Sequence, residues 1–159
     1  MRSKELEKLI DHTKYQVFLL SCSAPLPMSF AVHSWFVVNQ KGVISRWEVI
    51  HKKNLRKTSW GYLYMNIRPI FQGSLVFLTF HKYFWKNFKL LGYMEGDENS
   101  TAEKITEFIL NSKDTYPYRD KYFVSGPNSN TYPQWVLNAF PEFKAKLPWN
   151  AFGKNIIKQ

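Results

Sequence analysis

The residues of this chain best suited to chemistry fall in two places. The first is a pair of β-type runs, SFAVHSWFVV (residues 29–38) and VISRWEVIH (residues 43–51), separated by NQKG. Both are rich in β-branched and aromatic side chains, and the polar, Gly-containing link predicts a hairpin. If NQKG forms a four-residue loop, His33 stands opposite Glu48. If Lys41-Gly42 forms a two-residue turn, His33 faces Ile50 and Glu48 is its diagonal neighbour. Side chains alternate with period two, so His33 and Glu48 share a sheet face in either register. A carboxylate beside an imidazole fixes its tautomer and raises its basicity, the orienting role in a nucleophile–base–orienter set. Trp35 is on the same face and either lines a pocket or fills the core.

The second place is SGPNSNTYPQW, Ser125 to Trp135. Thr131-Tyr132-Pro133-Gln134 fits a capping box, with Thr131 as N-cap, Gln134 closing it and Pro133 in the first helical turn. Asn128 and Asn130 suit side-chain turns onto nearby backbone. One cap uses one such residue, and this run offers more. Polar groups ahead of a helix N-terminus, where free N–H groups point outward, can also bind an anion or stabilise an oxyanion. Asn128, Asn130 and Thr131 are therefore candidate binding residues.

AVHSW (residues 31–35), GPNSNTY (126–132) and LPWNAFG (147–153) together resemble an uncharacterised bacterial family, a domain of unknown function with an A-V-H-x-W strand and a late G-P-N-S-N-T-aromatic motif. A more distant resemblance is to the circularly permuted papain-like proteins, such as the relatives of lecithin–retinol acyltransferase. Those enzymes carry a catalytic His on an early strand and a nucleophile at a later helix start. That resemblance implies a permuted papain-like fold, with His33 as base and Ser129 where the nucleophilic Cys would stand; Glu48, placed by the hairpin geometry, completes the set as orienter. The resemblance also implies hydrolase or acyltransferase chemistry on amide or ester bonds. Ser is a weaker nucleophile than Cys and needs a base in contact. The alternative within the same fold is a non-catalytic protein that binds an anionic or peptide-like ligand.

Composition bounds these readings. The chain has 159 residues, 45% hydrophobic and 18% aromatic, ample for one domain (1–159) with a real core. Its formal net charge of +10 attracts anions: nucleic acid, acidic lipid or cell-wall polymer. HKKNLRK (51–57) and HKYFWKNFK (81–89) mix basic and aromatic residues, as single-strand binders do, which keeps nucleic acid as a third partner class, although no nucleic-acid motif is present. The single cysteine, Cys22, excludes an intrachain disulfide and a Cys-rich zinc site; it ends an apolar strand and reads as a buried thiol. His12, His33, His51 and His81 share no ligand spacing, and no metal or cofactor is expected. LLSC at 19–22 loosely resembles a lipoprotein cleavage box, but the apolar run before it is short, and a buried strand in a cytoplasmic protein is the expectation.

The elements that must position the site read as follows. Ser3 to Lys14 has helical spacing, and Tyr15 to Ser23 is a nearly continuous apolar strand. After the hairpin come a basic loop (51–59) and a stretch of irregular structure or short elements ended by Pro69 and Gly73. SLVFLTF (74–80) and YFWKNFKLLGYM (83–94) read as strands. Ser100 to Asn111 is a helix with an apolar stripe at Ile105, Phe108 and Ile109 and a capping box from Ser100 to Glu103. A last helix covers TYPQWVLNAF (131–140), ahead of a proline-punctuated tail. Helices with antiparallel strands make an α+β fold, with the helices packed on the sheet.

Overall fold

A computed structural model describes residues 3–25, 27–78, 82–85 and 87–157. Six strands form an antiparallel sheet in the order β4 (Ser59–Trp60), β5 (Leu63–Met65), β3 (Val43–Val49), β2 (Val32–Gln40), β1 (Tyr15–Ser23) and β8 (Phe88–Gly96). β6 (Leu75–Leu78) and β7 (Lys82–Trp85) pair separately as a two-stranded ribbon. The helices are α1 (Ser3–Glu7), α2 (Thr101–Leu110), α3 (Ser112–Thr115) and α4 (Thr131–Ala139). The architecture is α+β with an antiparallel sheet.

β1 is apolar along nearly its whole length because it is central, paired with β2 on one side and β8 on the other. One face of the sheet, through Val17, Leu19, Phe36, Val38, Trp47 and Val49, packs on Ile105 and Ile109 of α2, Tyr132 and Val136 of α4, and tail residues Phe143, Leu147 and Ala151. The opposite face, through Phe18, Leu20, Cys22, Trp35, Val37 and Phe88, is covered by Leu6 of α1 and by Phe71. The α2 cap forms as read: Ser100 Oγ accepts the Glu103 N–H at 3.2 Å. Its stripe buries Ile105 and Ile109, while the half-buried Phe108 packs on Trp135, with ring centroids 4.4 Å apart.

Three local expectations change. The first helix stops at Glu7, well short of Lys14. Asp11 there accepts from the N–H and hydroxyl of Thr13, a side-chain turn that competes with helix. The stretch 83–94 is divided between β7 and β8, which lie in different sheets. The end of SLVFLTF, residues 79 and 80, lies outside the described residues, as does His81. The third change, the cap of α4, belongs to the site.

Candidate functional site

The β2–β3 link is a two-residue turn. Gln40 pairs with Val43, and Lys41 and Gly42 take φ values of 47° and 98°. Positive φ at both central positions is the turn whose twist suits a hairpin. Phe36 pairs with Trp47, so the same register sets His33 opposite Ile50 and makes Glu48 its diagonal neighbour. His33 Nε2 lies 2.6 Å from Glu48 Oε2, and both residues are buried.

Two arginines complete this cluster, and neither was identified from the sequence. Arg46 precedes Glu48 by two residues on β3, which puts it on the same face. It is fully buried, with Nη2 3.1 Å from Glu48 Oε2. Its Nε lies 2.7 Å from Glu48 Oε1, close enough for a full ion pair although the N–H is not aimed for a hydrogen bond. Nη1 donates to the carbonyls of Pro69 and Gln72, and the guanidinium sits 4.3 Å from the centre of the Trp35 ring. Arg68 Nη1 donates to Glu48 Oε2 at 2.8 Å and lies 3.2 Å from His33 Nε2. Arg46 could have been found by period two alone; Arg68 lies in a stretch with no periodicity to place it.

The charges have definite consequences. Burial opposes ionisation of Glu48, but Arg46, the His33 hydrogen bond and Arg68 outweigh it and hold the carboxyl far below the usual range. Burial lowers the His33 pKa from its ordinary 6.5; Glu48 opposes this, and the two arginines add to it. The imidazole is thus neutral near pH 7. An ionised carboxylate can only accept, so Nε2 carries the His33 proton and Nδ1 is the basic nitrogen. Trp35 is fully buried, its ring stacked on His33 at 5.8 Å between centroids. It fills the core beneath the cluster and does not line the cleft.

That cleft, about 400 Å³ in volume, opens over His33. Its walls include His33, His51 and Arg68, together with Asn128, Ser129 and Asn130 from the start of α4. The polar turn is used differently from a capping box. Helix α4 begins at Thr131 with Asn130 as its cap residue, and no side chain closes the cap. Thr131 Oγ1 instead donates to Gly153 O at 2.8 Å and accepts the Asn128 N–H at 2.9 Å. Gln134 turns along the helix to Asn138. Asn130 Nδ2 donates to Val32 O and Phe152 O, and Asn128 Nδ2 to Val124 O. The polar excess therefore ties the helix start to β2 and to the tail, which local spacing cannot reveal.

The helix start is also a poorer anion site than expected. The Asn130 N–H is taken by Asn128 Oδ1, the Thr131 N–H by Asn128 O, and Pro133 has none. Two polar atoms of the run have no hydrogen-bond partner among the described residues: Asn130 Oδ1, which is buried, and the hydroxyl of Ser129, a residue that lines the cleft. No hydrogen bond joins it directly to His33. Cys22 pairs across β1 and β2 with His33, but it is buried, and its sulfur is occupied by the Ser74 N–H at 3.2 Å. The basic stretch 51–57 is exposed; it begins at His51 in the cleft wall, and Lys53 pairs with Asp120.

The model of a family described as a protein of unknown function, DUF3750, matches residues 14–156, which include every residue of this cluster and cleft. The chain belongs to the DUF3750 family. No curated protein and no solved structure matches it. The DUF3750 match brings no activity with it, so the chemistry of the site rests on its own geometry. Among the described residues of this DUF3750 chain, no helix is long and apolar enough to cross a membrane.

Proposed function

We propose that this protein hydrolyses or transfers the acyl group of an amide or ester bound in the cleft, with Ser129 as nucleophile, His33 as general base and Glu48 as orienter. The observation that carries the reading is the His33–Glu48 contact at 2.6 Å, which assigns the proton to Nε2 and leaves Nδ1 basic in a cleft shared with an unpartnered serine hydroxyl. Ser129 Oγ attacks the acyl carbon while His33 Nδ1 accepts the hydroxyl proton. The imidazolium then returns that proton to the leaving amine or alcohol, and water or an acceptor releases the acyl group from Ser129. Glu48, held ionised by its arginines, stabilises the imidazolium between these steps. No hydrogen bond joins Ser129 to His33 in the free protein, so the two must close up, or one water must bridge them, for the transfer. The order of parts, a His on an early strand and a nucleophile at a later helix start, supports a permuted papain-like arrangement.

A second reading is ligand binding without chemistry. It is favoured by the missing Ser129–His33 hydrogen bond and by the weakness of serine as a nucleophile. A serine-reactive fluorophosphonate separates the two. Catalysis requires mass addition at Ser129 in the wild type, none in Ser129→Ala, and a rate at least about a hundredfold lower in His33→Ala, the usual contribution of a general base. A wild type that stays unlabelled leaves the binding reading.

A further inference from the structure

The cluster beneath the cleft carries unbalanced charge. Arg46 and Arg68 bring two guanidinium charges to the single carboxylate of Glu48, while His33 is neutral. Arg46 spends its donors inside, on Glu48 and on two backbone carbonyls. Arg68 does not. Its side chain keeps 23% exposure at the cleft wall, and Nη1 alone is engaged, leaving Nε and Nη2 without an acceptor among the described residues. The described residues lining the cleft include two histidines and this arginine, and no Asp or Glu. A surplus positive charge in a half-enclosed site calls for a counter-charge, which solvent supplies poorly there. Another part of the wall is apolar and includes Pro25, Met28, Ile50 and Phe152.

We infer that the ligand of this cleft carries a carboxylate that pairs with the free edge of Arg68, joined to an apolar acyl or side-chain group lying along Met28, Ile50 and Phe152. The inference rests on the reading of the cleft as the substrate site and names the substrate class: an acylated amino acid, a peptide end or an ester of like charge. The planar guanidinium fork matches carboxylate geometry. A monoanion also cancels the single surplus charge, whereas a phosphate dianion overshoots it. Arg68 is then a specificity residue, not a participant in bond cleavage.

The test uses the full chain with Ser129→Ala, which holds substrate without turnover. Calorimetric titration compares hexanoylglycine, its neutral N-methyl amide and hexyl phosphate. The expected result is at least about tenfold tighter binding of hexanoylglycine than of the amide, the scale of one charge-assisted hydrogen bond. Arg68→Gln should bring the two within about twofold of each other, and Arg68→Lys should keep part of the preference. Equal affinity for acid and amide, including no measurable binding of either, overturns the inference. So does tighter binding of hexyl phosphate, or a preference that survives in Arg68→Gln. The probe comparison needs no Arg68 variant, so a poorly folding substitution leaves it decisive. Carboxylate preference without fluorophosphonate labelling of Ser129 would remove the catalytic reading and leave the subsite standing.

Discussion

Glu48 is the residue on which the cluster depends. It is fully buried and is the shared acceptor of His33, Arg46 and Arg68. Removing one member of a buried ion pair strands the other charge, which costs about 3–5 kcal/mol. Glu48→Ala should therefore destabilise the protein by about that amount, measured by urea unfolding. Replacing Arg46 and Glu48 together by Met and Leu should recover much of the loss, because the fully buried Arg46 charge is then not stranded and only the partly exposed Arg68 loses its partner. A double variant no more stable than Glu48→Ala would mean that the ion pair itself, and not the stranded arginine, sets the cost. The His33–Glu48 pair was legible because period two holds whichever turn joins the strands. Arg46 obeys the same rule. Arg68 was illegible because residues 66–74 form neither helix nor strand, and its position is set by what it touches.

At the scale of elements, the join between α4 and the tail decides how the cleft wall is held. Thr131, Asn130 and Asn128 converge on Phe152, Gly153 and Val32 through side-chain hydrogen bonds and close contact. Gly153 has φ +87°, and a Cβ there would lie 2.5 Å from the Asn128 amide nitrogen. Gly153→Ala should thus cost about 1–3 kcal/mol for backbone strain alone. It should also displace Asn128, whose Oδ1 holds the Asn130 N–H, and so move Ser129 between them. The variant should melt at lower urea and label more slowly at Ser129. Wild-type stability in this variant would show that the tail does not hold the helix start. The sequence marked a helix at Thr131 correctly, but local spacing assigned Thr131 to a cap because its true partner is 22 residues further on.

For the whole molecule, the buried cluster predicts acid sensitivity. In the unfolded chain His33 takes up a proton near its ordinary pKa of 6.5, while in the fold that pKa is lowered. Unfolding therefore binds protons as pH falls below about 6.5, and stability drops. Glu48 adds a second loss below its ordinary 4.5, since the folded carboxylate resists protonation that the unfolded one accepts. Urea midpoints should be level from pH 8 to about 6.5 and then decline in two stages. His33→Phe should flatten the first stage and leave the second. Midpoints that rise on acidification would contradict this account. The positive charge of the chain, +10, works in the same direction, because protonating carboxylates increases self-repulsion.

What the sequence determined by itself was alternation and punctuation. Strand runs, a hairpin link at NQKG, the Ser100 cap and the shared face of His33 and Glu48 all follow from side-chain types at short separations, where backbone geometry leaves few choices; which turn closes the hairpin did not. The tertiary structure decided which hydroxyl or amide of the 128–131 run is left unclaimed in the cleft. Asn128, Asn130 and Thr131 are equally polar on paper. Asn130 and Thr131 are withdrawn by carbonyls of β2 and the tail, Val32 being 98 residues distant from Asn130, and Asn128 by the nearby Val124 carbonyl and the helix start. Ser129 remains because none of the described residues claims its hydroxyl. A buried polar group goes to whichever partner the fold brings within hydrogen-bonding distance, and that is a property of packing, not of sequence spacing.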